Sequence, residues 1–297
     1  MKKKLLLLLS LGYCILNQGL FTLTTNAQII PDSTTSTTVD VSGNDFTIND
    51  GDRAGGNLFH SFSDFSVPTG GSAFFNNAAD IVNIFSRVTG GNISNIDGLL
   101  RANGTTNLFL INPAGILFGE GARLDIGGSF YGSTADSVLF PDGEFSSTDL
   151  ANPPLITINA PIGLNFRDNP GDIVNQSIAQ NSTGDIVGLE VSQGQNLTLV
   201  GGDINFETGN VTAREGNIEL GGLSAAGTVD INSDGSLSFT NVSKSDITLR
   251  NSFNTNSTGT NSRSLTINTR NLNIGGSLNH CTMYLVDKPQ RKLLIHH

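Results

Sequence analysis

Leu197-Thr-Leu-Val-Gly-Gly-Asp-Ile204-Asn-Phe-Glu-Thr-Gly-Asn-Val211-Thr-Ala-Arg-Glu-Gly-Asn-Ile218-Glu-Leu220 restarts its apolar pattern every seven residues, at 197, 204, 211 and 218. Each pair, such as Leu197/Leu199 or Ile204/Phe206, points two side chains to one face of a short strand. Gly201-Gly202, Thr208-Gly209-Asn210 and Glu215-Gly216-Asn217 supply the turns between them. Three steps make 21 residues, the length of one coil. This spacing predicts that Leu197/Leu199 lies under Ile218/Leu220 of the next coil of a parallel β-helix. A sandwich or antiparallel barrel also has short strands and turns, but more often with longer strands and two-residue hairpin loops.

Outward from this stretch the alternation continues through Val229/Ile231, Leu237/Phe239, Ile247/Leu249, Leu265/Ile267 and Leu272/Ile274, and no period near 3.6 is sustained. The expected fold is all-β: a right-handed, single-stranded parallel β-helix with short extra-helical β hairpins near the N-terminus. At roughly 21 to 25 residues per coil, residues 28–275 would make about 10 to 12 coils, a rod on the order of 50 Å long. Eight Asn-x-Ser/Thr triplets, at Asn92, Asn103, Asn175, Asn181, Asn196, Asn210, Asn241 and Asn256, read as turn residues and stacked amide ladders rather than glycan acceptors.

Residues 1–27 read as a signal peptide: Lys2 to Lys4, the apolar run from Leu5, then Thr25-Asn26-Ala27 as a cleavage site. Tyr13 before Cys14 does not fit a lipid-anchor motif. Without those three lysines, 13 basic residues face 26 acidic ones, a net charge of −13. An acidic exported chain lacks the basic footprint that nucleic-acid binding needs. No cysteine falls between residues 28 and 280, so there is no disulfide framework. That suits a chain crossing a second membrane unfolded, and equally a core large enough to need no staples. From Ser277 to His297 the alternation fades and Cys281, Met283 and basic residues appear, so 276–297 reads as an atypical tail, from a frame change, a truncation or a terminal cap.

Asn107-Leu-Phe-Leu-Ile-Asn-Pro-Ala-Gly-Ile-Leu-Phe118 is an apolar strand broken once. Proline gives no N–H to a ladder, and the residue before it is pushed to extended geometry. Asn112-Pro113-Ala114-Gly115 is therefore expected to form a tight turn joining Leu108–Ile111 to Ile116–Phe118.

With its flanks, that stretch resembles the haemagglutination-activity, or two-partner secretion, domain of filamentous-haemagglutinin-like exoproteins, in a cyanobacterial form. The resemblance is carried, in family order, by Gly56-Asn57-Leu58-Phe59-His60-Ser61-Phe62, Phe65-Ser66-Val67-Pro68, Asn83-Ile84-Phe85-Ser86-Arg87-Val88-Thr89-Gly90-Gly91, Ile96-Asp97-Gly98, Asn107 to Gly119, and Leu124 to Phe130. The family turn Asn-Pro-Asn-Gly-Ile stands here as Asn112-Pro113-Ala114-Gly115-Ile116, with Ala114 for the second asparagine. The family's Asn-Pro-Asn-Leu motif has no counterpart, since Asn152-Pro153-Pro154-Leu155 comes too late.

The resemblance implies a secretion domain over 28–145 and a continuing β-helix over 146–275. It implies export through the periplasm, with docking on the periplasmic domains of an outer-membrane β-barrel transporter and folding outside as a secreted or surface adhesin. Cell-surface glycans or neighbouring cells would be its further partners. The residues expected to serve transporter recognition or the fold nucleus are Asn57, Leu58, Phe59, Asn107, Asn112, Pro113, Gly115 and Ile116.

The competing reading is a carbohydrate-active β-helix lyase or hydrolase, which needs carboxylates gathered on neighbouring coils. Asp50-Gly51-Asp52 reads as a solvated turn, since Ala54 stands where a calcium ligand would fall. Glu215 and Glu219 have no helix to bring them together. His60 reads as a strand residue, and His280, His296 and His297 have no metal-ligand spacing. No catalytic residue, cofactor or metal is expected.

Overall fold

The computed structural model describes residues 28–250, 264–275 and the backbone of Met283–Asp287 and Arg291–Ile295. The signal-peptide and cysteine readings, Asn256 and three of the four histidines lie outside the described residues.

The chain winds as a parallel β-helix. Its main sheet runs Asn57–Phe65, Asn83–Val88, Asn107–Ile111, Phe130–Ser133, Leu197–Gly201, Ile218–Gly222, Leu265–Asn268 and Met283–Asp287, eight parallel strands in chain order. Leu197 pairs with Ile218 and Leu199 with Leu220, the stacking expected from the seven-residue steps. Two further sheets form the other walls. One contains Ser94–Ile96, Ile116–Phe118, Ile173–Asn175, Ile204–Phe206, Ile247–Leu249 and Leu272–Ile274; the other includes Asp45–Asp50, Ser72–Phe75, Leu99–Ala102 and Arg123–Asp125.

Alternation along each main-sheet strand divides the core in two. Inward residues Leu58, Ile84, Leu108, Phe130, Leu197, Ile218 and Leu265 fill the helix. Their outward neighbours Phe59, Phe85, Phe109 and Tyr131 form a second row, in register, with ring centroids 5.1, 4.8 and 4.2 Å apart. Such a row cannot face water at low cost. It is covered by an antiparallel sheet outside the helix, ordered Gly143–Ser146, Ser137–Phe140, Gly163–Phe166, Gly227–Ile231 and Leu237–Ser238. Phe140, Phe145, Leu164, Phe166 and Val229 pack from it onto the aromatic row.

This outer sheet corrects the coil count. Early coils are 26, 24 and 22 residues long, and one later coil is 21, but two steps take 67 and 47 residues because the chain leaves the helix to build the cover. The helix is shorter than uniform winding predicts.

At the N-terminal end the first strand of the main sheet is covered by antiparallel Ile29–Pro31 and Asp52–Ala54, and the Thr37–Ser42/Asp45–Asp50 hairpin caps a second wall. In the tail, Met283–Asp287 extends the main sheet and Arg291–Ile295 turns back antiparallel to it.

Phe109 is 2% exposed and sandwiched between Phe85 and Tyr131. Phe109→Ala should lower unfolding stability by about 3–5 kcal/mol. A denaturant titration showing a loss under about 1 kcal/mol would mean the outer row is not a packed core.

Candidate functional site

The first element of the site is a ladder of amides. Asn83 Nδ2 donates to Asn57 Oδ1 at 3.0 Å and Asn107 Nδ2 to Asn83 Oδ1 at 2.9 Å. The ladder continues through backbone donors: Ser129 N to Asn107 Oδ1, Asn217 N to Asn196 Oδ1 and Ser264 N to Asn217 Oδ1. At its head Asn57 Nδ2 donates to the carbonyls of Thr157 and Asn159, tying the first coil to the excursion. Each amide thus caps the start of a main-sheet strand and fixes its register on the next.

Other triplet asparagines do similar work. Asn103 exchanges three hydrogen bonds with Asn77, and the buried Asn175 donates to the Asn210 carbonyl.

The second element is the Asn112–Gly115 turn, which forms as expected. Gly115 N donates to Asn112 O at 3.1 Å, and Ala114 N to Asn112 Oδ1 at 3.0 Å, so the side chain of Asn112 mimics a turn of backbone. Asn112 is fully buried, and its Nδ2 donates to Asn92 O at 2.9 Å and Ser94 Oγ at 2.8 Å in the preceding coil. Pro113 O accepts from Gly171 N in the following coil. Gly115 has φ +127°, and a Cβ there would sit 3.1 Å from the Asp172 carbonyl. The turn therefore links three coils at one corner.

Of the eight expected site residues, Asn57 and Asn107 are joined through Asn83. Leu58 and Ile116 lie in the inner core, and Phe59 starts the outer aromatic row. Asn112 and Gly115 are buried, while Pro113 is half-buried at the corner. The two groups sit at opposite ends of Asn107–Ile111 rather than in one pocket.

Sequence reasoning missed Arg87. It is 1% exposed, and its Nε donates to Ser61 Oγ at 2.7 Å, its Nη1 to the Ser146 carbonyl and its Nη2 to Thr34 Oγ1 at 2.9 Å. It joins the N-terminal segment, the first coil and the outer sheet. The signal was a lone arginine in the apolar strand Asn83–Val88.

The acidic candidates separate. Asp50 and Asp52 flank a turn at Gly51 and accept from Thr38 and Ser36 hydroxyls. Glu215 has φ 57° in a turn, whereas Glu219 is buried beneath the outer sheet, accepting from Leu237 N at 2.9 Å. Among the described residues, no three His, Cys, Asp or Glu side chains gather as a metal site. His60 is a buried strand residue whose Nδ1 lies 3.0 Å from Thr37 Oγ1, and burial drives it down to about 4.

Burial pushes the Glu219 carboxyl up to about 7, opposed by the Leu237 N–H and reinforced by Asp234. The folded state thus holds its proton more tightly than the unfolded chain. Stability should fall as pH rises from about 4.5 to 7, by on the order of 3 kcal/mol. Glu219→Gln keeps an acceptor for Leu237 N and should remove that decline. Denaturant midpoints should nearly coincide at pH 5 and favour the variant at pH 8; parallel curves for the two proteins would refute the assignment.

A family model described as the TPS secretion domain matches residues 27–279. The fold is similar to that of the HMW1 secretion domain from Haemophilus influenzae, with a TM-score of 0.51 and 18% identity over 84% of this chain and 64% of that one. A stretch of 46 residues is 46% identical to the heme/hemopexin-binding protein of Haemophilus influenzae (strain ATCC 51907 / DSM 11121 / KW20 / Rd). It covers 16% of this chain and 5% of that protein, so the chain spans only a small part of its curated relative's length. A stacked β-helix matched over most of its length by this model belongs to the TPS secretion domain family, the two-partner secretion domains of secreted exoproteins that work with a cognate outer-membrane transporter.

Proposed function

We propose that this domain reaches the periplasm unfolded, docks as an extended segment on periplasmic domains of its transporter, and folds from its N-terminal end after crossing. The observation that carries this is the strand order of the main sheet, which is chain order throughout its parallel run. Each coil is a template for the one that follows, and the end formed first is covered by antiparallel strands. Parallel pairing is non-local and slow, so the chain can stay extended until its first coils close. An extended segment can meanwhile dock by adding a strand to an exposed sheet edge.

In this reading Asn57, Leu58, Phe59, Asn107, Asn112, Pro113, Gly115 and Ile116 form the fold nucleus. Their burial and their bonds between coils support a role in starting the stack more than a role as a contact face. The mature protein acts at the cell surface as an adhesin, with glycans or neighbouring cells as its targets. The family is one of secretion rather than catalysis, which weighs against the carbohydrate-active alternative.

Asn112→Ala tests the nucleus. It removes three hydrogen bonds from a buried side chain and should cost about 2–4 kcal/mol. Refolding of the purified chain should slow, and secretion with the partner transporter should fall in step. Unchanged refolding and stability beside lost secretion would overturn the nucleus and assign Asn112 to transporter recognition.

A further inference from the structure

The docking proposed above does not say which segment meets the transporter, and the topology favours one. A strand held away from inside the stack would leave a gap, since every main-sheet strand from Asn83–Val88 to Leu265–Asn268 pairs with a strand on each side. Residues 28–52 differ. Ile29–Pro31 pairs with the first main-sheet strand alone, and the Thr37–Ser42/Asp45–Asp50 hairpin joins the helix through one edge, Asp45–Asp50 against Ser72–Phe75. Among the described residues no strand pairs with the outer edge of Thr37–Ser42. Held elsewhere, this segment would leave the chain from Asn57 onward free to stack.

The segment also has the pattern of a strand that adds to a sheet. Phe46 and Ile48 are buried on one face of Asp45–Asp50, with Asp45, Thr47 and Asn49 on the other, so alternate side chains can fill alternate pockets of a partner. Val41, on the outer strand, is 63% exposed.

Charge then selects the partner. Residues 28–52 hold Asp32, Asp40, Asp45, Asp50 and Asp52 and no lysine or arginine, a net −5, whereas residues 53–130 hold five acidic and four basic side chains, a net −1. Asp40, Asp45, Asp50 and Asp52 accept hydrogen bonds from the neutral Asn49, Ser72, Thr38 and Ser36, and none of the five joins an ion pair among the described residues. Their charge is left uncompensated within the fold.

We infer that residues 28–52 are the segment that docks, adding as a strand to a lysine- or arginine-bearing sheet edge of the transporter's periplasmic domain, and that they fold back as the cap once the first coils have stacked. The inference rests on the docking reading and narrows it to one segment and one kind of surface. Opposite charge would speed the encounter and set the register, and main-chain bonds would hold the strand.

The test is photo-cross-linking during export of the full chain with its partner transporter. A photoreactive phenylalanine analogue is placed at position 41, or at 95 or 117, which are outward-facing positions in a wall of the coils. Cross-links to the periplasmic domain are expected from position 41, at several times the yield from the other two. Asp40→Asn with Asp45→Asn, both exposed, should lower that yield and secretion about three- to tenfold, while the purified variant keeps its denaturant midpoint and refolding rate. Asp149→Asn with Asp168→Asn, also exposed, should leave both unchanged. Cross-links from 95 or 117 equal to or above those from 41 would overturn the inference and leave docking itself standing; cross-links from none of the three would overturn both. An unchanged yield in the Asp40/Asp45 variant, or an equal loss in the Asp149/Asp168 variant, would also overturn it.

Discussion

Everything in this molecule depends on the register between one coil and the next. A strand presents side chains to opposite faces in turn, so a slip of one residue would send Leu58 outward and Phe59 inward, and the same exchange would follow in every coil above. Backbone pairing alone does not choose between those registers. The asparagines do, because Asn57, Asn83 and Asn107 meet amide to amide only when each strand starts at the same height. A polar ladder sets the position, and two apolar faces supply most of the free energy that holds it.

The second apolar face explains the most unusual part of the architecture. A solenoid needs only an inner core, but Phe59, Phe85, Phe109 and Tyr131 give this one an outer core as well. The chain leaves the helix twice to cover it. Farther along the same sheet the outward positions become Thr198 and Glu219, and Leu237 N of the covering sheet donates to the Glu219 carboxyl group. Gly221 leaves room for the Phe239 ring to approach the sheet, since a Cβ there would meet the ring at 2.1 Å.

The stacking of residues 197–220 was legible in the sequence because that stretch is one uninterrupted coil, with a turn at each corner. The excursions were not. Ser137–Phe140, Gly163–Phe166 and Gly227–Ile231 alternate just as coil strands do, so periodicity cannot tell a strand that stacks from one that folds over the stack. The turn at Asn112 was legible for a local reason, proline and glycine chemistry, but its bonds to Asn92 and Ser94 depend on which coil lies beneath. Arg87 was hidden for a related reason: its partners Thr34, Ser61 and Ser146 are scattered along the chain, and only the fold collects them.

Chain order then acquires a physical meaning. When each strand of a sheet pairs with the strand before it, the surface onto which new chain must add is always the one most recently made. The first coil differs, because no earlier coil exists to pair with it. Ile29–Pro31, Asp52–Ala54 and the Thr37–Ser42 hairpin pair with its exposed edges instead, all from sequence within or before that coil. Asn57 reaches forward to Thr157 and Asn159, and Arg87 to Ser146, so the first coils and the outer sheet are bonded to each other across a long stretch of chain. In the proposed growth from the N-terminus the cover closes after the first coils, because its strands follow them in the chain and have no packed surface to cover until the aromatic row is stacked.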